Sequence, residues 1–293
     1  MSNRILITGI SGFVGHHFEG KSSPKYELFG TYHQNKVEFE NISCFPLDIT
    51  DTSGFISLID TIKPNIVIHL AALSNPNFCE KNPDKCCKIN SSATFHLISA
   101  CQERGIHFIF ASTDLVFDGK NAPYTEKDAT NGIMTYGLDK SKTEHLAELI
   151  FPKKITIARL PLQYGWCETA PNFFSNWVKT LKSGNSIKAF TDEYRSAAWA
   201  GDVVDGLLLL ADQKQKRGIW HLGGPERQSR YEFAVELAKL LKVDPALVIP
   251  VLQKDIEMAA ARPADVCLNS DKATQLGYAP GLAADRMRLI LQT

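Results

Sequence analysis

Two short stretches of this chain combine residue types and spacings that could do chemistry. The first is Thr8-Gly9-Ile10-Ser11-Gly12-Phe13-Val14-Gly15, a GxxGxxG pattern directly after an apolar run and before a helical one. Glycine at the first position permits a tight turn, at the second it lets backbone approach a pyrophosphate, and at the third it lets helix and strand pack closely. Phosphates would then meet the positive end of a helix. The second stretch is Tyr136-Gly137-Leu138-Asp139-Lys140, in which i, i+4 spacing sets a phenol and an ammonium on one helix face. A cation near a phenol favours its ionised form, as a tyrosine that exchanges a proton near neutral pH requires. Between the two, an apolar run at residues 107–111 leads into Ser112-Thr113-Asp114. A hydroxyl at the carboxyl end of a strand in an open parallel sheet lies where ligands bind, so Thr113 is placed to hold a carbonyl against Tyr136.

The elements that must position these groups follow from the hydrophobic pattern. Short apolar runs at residues 4–8, 27–32, 43–46, 66–70, 107–111 and 155–160 read as strands, and segments 15–19, 53–62, 90–104 and 136–150 read as helices, the last stopped by Pro152. Strands alternating with helices predict an α/β protein with a doubly wound parallel sheet, a Rossmann fold. After Gly165 the alternation loosens into a helix over 169–184, a helix over 202–211, a strand over 218–222 and a helix over 229–241 with a buried face of Phe233, Leu237, Leu240 and Leu241. Residues 1–164 are expected to form the dinucleotide-binding domain, rejoined by about 195–222, with 165–194 and 223–293 building a smaller C-terminal substrate lobe.

In a dinucleotide fold, an acidic residue closing the second strand binds the adenosine ribose and favours NAD. Here that strand runs into Tyr32-His33-Gln34-Asn35-Lys36, with no carboxylate. NADP(H) is therefore favoured over NAD(H), with His33 and Lys36 as candidates to meet the extra phosphate.

Composition excludes other classes of function. The 293 residues carry 32 Lys+Arg against 32 Asp+Glu, and the basic run at 214–217 is short, so nucleic acid is not an expected partner. The longest fully apolar stretch, 207–211, falls far short of the ~18–20 residues of a membrane-spanning helix. The apolar start is broken by Gly9, Ser11 and Gly12 and reads as a buried strand, not a signal peptide, so a cytoplasmic location is expected. Seven scattered cysteines without a CxxC pair suggest free thiols and no metal site, Cys79, Cys86 and Cys87 being buried thiols of a helix. By default His16 and His17 are solvent-exposed and Asn90 is a helix cap. Arg195 and Trp199 either touch a sugar nucleotide or serve packing and a surface ion pair, and Arg262 is placed to meet a diphosphate.

The glycine loop, His69-Leu70-Ala71-Ala72, Ser112-Thr113-Asp114-Leu115-Val116-Phe117-Asp118-Gly119 and the Tyr136/Lys140 pair together resemble the extended short-chain dehydrogenase/reductase superfamily. Within it the chain looks most like the dTDP-4-dehydrorhamnose reductase branch. Further matches are Pro123-Tyr124, the stretch from Arg159 to Gly165, Tyr194-Arg195-Ser196, Gly223-Gly224-Pro225-Glu226, Arg230-Tyr231-Glu232 and Ala261-Arg262-Pro263. The resemblance spans essentially the whole chain. It implies reduction of the 4-keto group of a nucleotide-linked 6-deoxyhexose by NAD(P)H, with Tyr136 as general acid, Lys140 on the nicotinamide ribose and Thr113 on the carbonyl. It also implies Gly9, Gly12, Phe13, Val14 and Gly15 around the pyrophosphate, Asp48 and Ile49 beside the adenine, and Leu70, Ala71, Ala72 and Ser74 along the middle of the cofactor. Asp114, Leu115, Asn75, Trp199 and Arg262 fall on the substrate side. Leu115 stands where that branch has tyrosine, and Asn75 lies in a stretch without the branch's acidic run. Members often dimerise. Two other activities stay open: an NAD-dependent sugar-nucleotide epimerase or dehydratase, and a cofactor-binding regulatory subunit resembling that of methionine adenosyltransferase.

The missing carboxylate after the second strand gives a direct expectation. Fluorescence titration should show NADPH binding at least tenfold more tightly than NADH, a difference of ~1.4 kcal/mol. A preference for NADH would remove the argument.

Overall fold

Apolar runs too short for helices become the strands of one sheet, and the amphipathic segments between them become its covering helices. In chain order these are β1 (Asn3–Thr8), α1 (Phe13–His16), β2 (Tyr26–Tyr32), β3 (Ser43–Pro46), α2 (Thr52–Ile62), β4 (Ile66–His69), α3 (Pro76–Lys81), α4 (Pro83–Cys86), a π-helical segment (Cys87–Ala93), α5 (Thr94–Glu103), β5 (His107–Thr113), α6 (Thr135–Ile150) and β6 (Thr156–Leu160). There follow β7 (Gln163–Tyr164), α7 (Phe173–Lys182), β8 (Ile187–Phe190), β9 (Tyr194–Arg195), β10 (Ala198–Trp199), α8 (Ala200–Asp212), β11 (Gly218–His221), β12 (Gln228–Ser229), α9 (Arg230–Leu240), β13 (Val248–Val251), α10 (Asp271–Thr274) and α11 (Ala283–Gln292). This computed structural model describes residues 3–152, 154–213 and 217–292; Lys214 and Lys216 of the short basic run lie outside them.

The main sheet is seven-stranded, in the order β11-β6-β5-β4-β1-β2-β3, and every neighbouring pair is parallel. It is the doubly wound α/β arrangement expected. Because side chains alternate along a strand, Ile5 and Ile7 enter one core with Val203, Val204 and Leu207 of α8. Leu6 enters the core on the opposite face with Phe55 and Ile59 of α2 and Leu97 and Ile98 of α5. A third core, around Tyr164, Phe174 and Phe233, joins α7, α9 and α11 to β8 and β13. Ala273 and Tyr278 return to the first core, where the Tyr278 hydroxyl donates to the Leu222 carbonyl at 3.0 Å.

Four local expectations change. The helix expected over 90–104 begins earlier, as the π-helical segment. Asn90 is buried in this widened turn and caps no helix: its Oδ1 accepts from Leu73 N at 2.8 Å and its Nδ2 donates to Leu73 O at 3.0 Å. The helix expected from residue 169 starts at Phe173, because the Asn172 side chain accepts from the Phe174 and Ser175 amides and fixes the first turn there. Cys79 and Cys86 form a disulfide across the break between α3 and α4, with Cα atoms 5.5 Å apart, and the other five cysteines are free as expected. His17 is half-buried, its ring 5.0 Å from Phe13 and 6.4 Å from Trp199. No described helix is long and apolar enough to cross a membrane.

Beneath the carboxyl ends of the strands lies a buried ionic network. Arg159 of β6 donates to Glu144 of α6 through Nη2 at 2.7 Å, with side chains only 3% and 1% exposed. Ser112 of β5 donates to the same carboxylate, and the Arg159 guanidinium lies 3.3 Å from His221 Nε2 on β11. Four elements are thus fixed in register around one charge pair. Removing one partner strands the other charge in a dry interior, so Arg159→Met should lower unfolding free energy by ~3–5 kcal/mol in urea titration. The double variant Arg159→Met/Glu144→Leu should recover part of that loss.

Candidate active site

The strand order reverses between β1 and β4, and α/β sheets bind ligands in the crevice such a reversal leaves. A cleft of about 920 Å³ opens there and continues over the end of β5. Gly9 turns the chain after β1 with φ +74°, and a Cβ there would sit 2.7 Å from the Ala71 Cα. A Cβ at Gly15 would run into the Ile10 carbonyl oxygen, so only glycine lets α1 pack onto the end of β1. Phe13 and Val14 complete this wall. α1 is a single turn, shorter than expected, so its contribution to an anion is its first amides, which lack intrahelical acceptors, more than a long dipole. A narrow, glycine-walled groove ending in free amides fits a dinucleotide pyrophosphate.

At the far end of the groove His33, Asp48 and Ile49 line the wall. His33 Nε2 lies 3.7 Å from Asp48. Hydrogen bonds from the Thr50 amide and hydroxyl, both 2.8 Å, hold the Asp48 carboxyl below the usual carboxylate range. Lys36 stands outside the cleft, ion-paired with Glu38 at 2.6 Å. Two cations that the sequence reading missed, Lys85 and Lys88, enter from α4 and the π-helical segment. Their only sequence signal was a lysine-bearing helix after β4. Leu70, Ala71, Ala72 and Ser74 form the middle of the groove. His69 beneath them bridges the Thr8 hydroxyl at 2.7 Å and that of Thr94 at 3.0 Å, and burial lowers its pKa to about 3, keeping it neutral.

Thr113, Tyr136 and Lys140 all line the cleft where it continues over the end of β5. Lys140 is almost fully buried; its Nζ donates to the Ala111 carbonyl at 2.8 Å and sits 4.5 Å from the centre of the Phe110 ring. Burial lowers its pKa to about 7. The expectation that Lys140 would lower the Tyr136 pKa is not what this arrangement gives. Burial, and then the charge of Asp114, raise Tyr136 above the usual phenol value, because the ammonium is turned toward the β5 backbone. Thr113 Oγ1 accepts from the Leu115 amide at 3.2 Å and donates to Asp114 Oδ1 at 3.1 Å. Gly137 brings α6 against this turn, since a Cβ there would run into the Leu115 carbonyl oxygen. Cys79 and Cys86 pack beside Tyr136 and Leu115.

The part of the cleft expected to face substrate is more charged than the sequence suggested. Asp114, Leu115 and Arg262 line the cleft, together with Gln163, Phe173, Glu193 and Arg195. Arg195 is buried between Asp114 at 3.3 Å and Glu193 at 3.2 Å, so it is a fixed internal link and not a surface pair. Burial raises the Asp114 pKa, with Arg195 opposing. Arg262 donates to Asn77 Oδ1 at 3.1 Å and to the Ala260 carbonyl at 3.4 Å, and has no carboxylate partner among the described residues. Asn75 is outside the lining: it caps α3, accepting from Phe78 N at 3.0 Å. Trp199 is also outside, with Arg286 5.2 Å from its ring centre. Among the described residues no cluster of His, Cys, Asp and Glu could hold a metal ion.

With this geometry in place, a family model described as "RmlD substrate binding domain" matches residues 3–283. The chain is 29% identical to a dTDP-4-dehydrorhamnose reductase of Aggregatibacter actinomycetemcomitans, over 93% of this chain and 92% of the relative. It is 26% identical to methionine adenosyltransferase 2 subunit beta of Rattus norvegicus, over 94% and 83%. Among solved structures, a dTDP-4-dehydrorhamnose reductase from Bacillus anthracis in complex with NADP superposes with a TM-score of 0.86 at 24% identity, covering 100% of both chains.

The tight approach of α6 to Leu115 can be tested directly. Gly137→Ala must push the helix outward, costing about 1–3 kcal/mol of stability. It should lower kcat by a larger factor than it raises the dissociation constant for NADPH, because the displaced residue adjoins Tyr136 and not the glycine loop.

Proposed function

We propose that this chain, which belongs to the RmlD substrate binding domain family, reduces the 4-keto group of a nucleotide-linked 6-deoxyhexose with NADPH in the cytoplasm. The observation that carries the reading is one continuous cleft that joins the glycine loop to Thr113, Tyr136 and Lys140. Bound NADPH supplies the hydride that adds to the carbonyl carbon.

The chain's own residues do the rest. As negative charge grows on the carbonyl oxygen, the Thr113 hydroxyl turns its one proton from Asp114 Oδ1 to that oxygen and the Tyr136 phenol gives up its proton, leaving a secondary alcohol and a phenolate. Burial keeps that phenol protonated beforehand, the form a proton donor needs. Lys140, whose ammonium is held against the Ala111 carbonyl, would bind the nicotinamide ribose and lend the site positive charge until a proton returns to the phenolate. Lys88, close enough for its charge to act on Asp48, gives the adenosine end a cation for a 2′-phosphate, with His33 beside it as a hydrogen-bonding group. Arg262, with no carboxylate partner among the described residues, suits the substrate diphosphate.

A regulatory role, suggested by the methionine adenosyltransferase subunit among the relatives, would not require Thr113, Tyr136 and Lys140 to meet in one cleft. A dehydratase would need an acid beside the sugar that is outside any ion pair, and the cleft carboxyls Asp114 and Glu193 are both paired with Arg195.

The test is oxidation of NADPH by the pure protein with a dTDP-4-keto-6-deoxyhexose. Tyr136→Phe should lower kcat by at least ~10²-fold while leaving NADPH affinity within twofold. Near-normal turnover in that variant would remove Tyr136 from the mechanism, and no turnover by the unmodified protein would favour the regulatory reading.

A further inference from the structure

Hydride transfer leaves one buried carboxylate in the cleft without a task. Glu193 stands just before β9, faces the cleft, and has a side chain only 9% exposed. Its Oε1 accepts from Arg195 Nε at 3.2 Å, and Arg195 Nη1 donates in turn to Asp114 Oδ2 at 3.3 Å. Two of the guanidinium nitrogens are therefore engaged by carboxylates. Glu193 Oε2 accepts no hydrogen bond among the described residues. A carboxylate removed from most of its water, with one oxygen unengaged, is costly unless something in the cleft donates to it. Carboxylates accept only, and an anionic diphosphate would be repelled. A hexose ring is the part of a nucleotide sugar that presents several O–H donors.

The position agrees with the chemistry. Asp114 follows Thr113 directly, and Glu193 is linked to Asp114 through one guanidinium, so the Glu193 carboxylate lines the same cleft as Thr113. Arg230 and Arg262 lie within electrostatic reach of Glu193, while Arg262 Nη2 is engaged by Asn77 Oδ1.

We infer that Glu193 is a specificity-determining residue that accepts hydrogen bonds from hydroxyls of the hexose ring and is held in place by Arg195. The inference rests on the nucleotide-sugar reading above and adds to it the group that distinguishes a hydroxylated ring from a bare nucleotide.

The experiment compares the affinities of the NADPH-loaded protein for dTDP-glucose and for dTDP by calorimetry. Unmodified protein should gain affinity from the glucose ring, and Glu193→Gln should cut that gain about tenfold or more. Affinities for dTDP and NADPH should stay within twofold. Glu193→Asp, which keeps charge against Arg195 but withdraws the oxygen from the cleft, should show the same selective loss and guards against a glutamine variant that folds poorly. An unchanged ratio in both variants would overturn the inference, as would no gain from glucose in the unmodified protein. A parallel fall in all three affinities would mark Glu193 as merely structural and overturn it too. The reductase reading fails separately, through absence of NADPH oxidation with a dTDP-4-keto-6-deoxyhexose, whatever the binding ratio.

Discussion

The pair between Arg159 and Glu144 is the constraint on which the site depends, because it fixes where α6 sits on the sheet. Glu144 lies one helical turn after Lys140 and two after Tyr136, so the position of its carboxylate sets the height of both. Ser112, bound to the same carboxylate, directly precedes Thr113. A single charge pair at 2.7 Å thus places the strand that supplies the threonine and the helix that supplies the tyrosine and lysine. A buried ion pair of this kind contributes little net stability over an apolar substitute of the same shape. Its effect here is positional: directional hydrogen bonds define one register, where apolar packing alone would tolerate several.

Burial also sets the protonation states of the site. Tyr136 is raised and Lys140 lowered mainly by desolvation, so before substrate enters, the site tends toward a neutral phenol and an ammonium that has lost part of its preference for charge. His69, neutral for the same reason, can bridge two threonine hydroxyls without bringing a second cation close to Lys140. The chemistry thus rests on groups poised by a dry environment more than by direct contact between phenol and ammonium. The far end of the groove differs: His33 and Asp48 are partly solvated side chains 3.7 Å apart, and the Lys88 charge is close enough to act on Asp48.

The two ends of the cleft are built from distant parts of the chain by different means. The glycine loop is local, a strand, a tight turn and a helix start within a few residues. The other wall combines the end of β5, the approach to β9 and the loop bearing Arg262, and Arg195 links the carboxylates Asp114 and Glu193 of its first two parts in space. Asn90 clamping Leu73 and Asn77 binding Arg262 show the same division: each is an ordinary polar residue in sequence whose role exists only once remote backbone comes within 3.1 Å.

By itself the sequence determined the parallel sheet and its strand positions and the glycine loop, and it picked out Thr113, Tyr136 and Lys140, which line one cleft. Each is encoded by local spacing: apolar runs of strand length, glycines where a Cβ would collide, and i, i+4 geometry on a helix. Lys36, Asn75 and Trp199 were legible as residue types but not as positions; the folded chain turns them to Glu38, to the start of α3 and to Arg286. Only tertiary structure decided that Arg195 is an internal link, that Glu193, Lys85 and Lys88 face the cleft, that Cys79 and Cys86 meet, and that burial raises Tyr136. The physical reason is common to all of these. Pairing partners and desolvation depend on which distant segments pack together, and neither has a signature in the spacing of neighbouring residues.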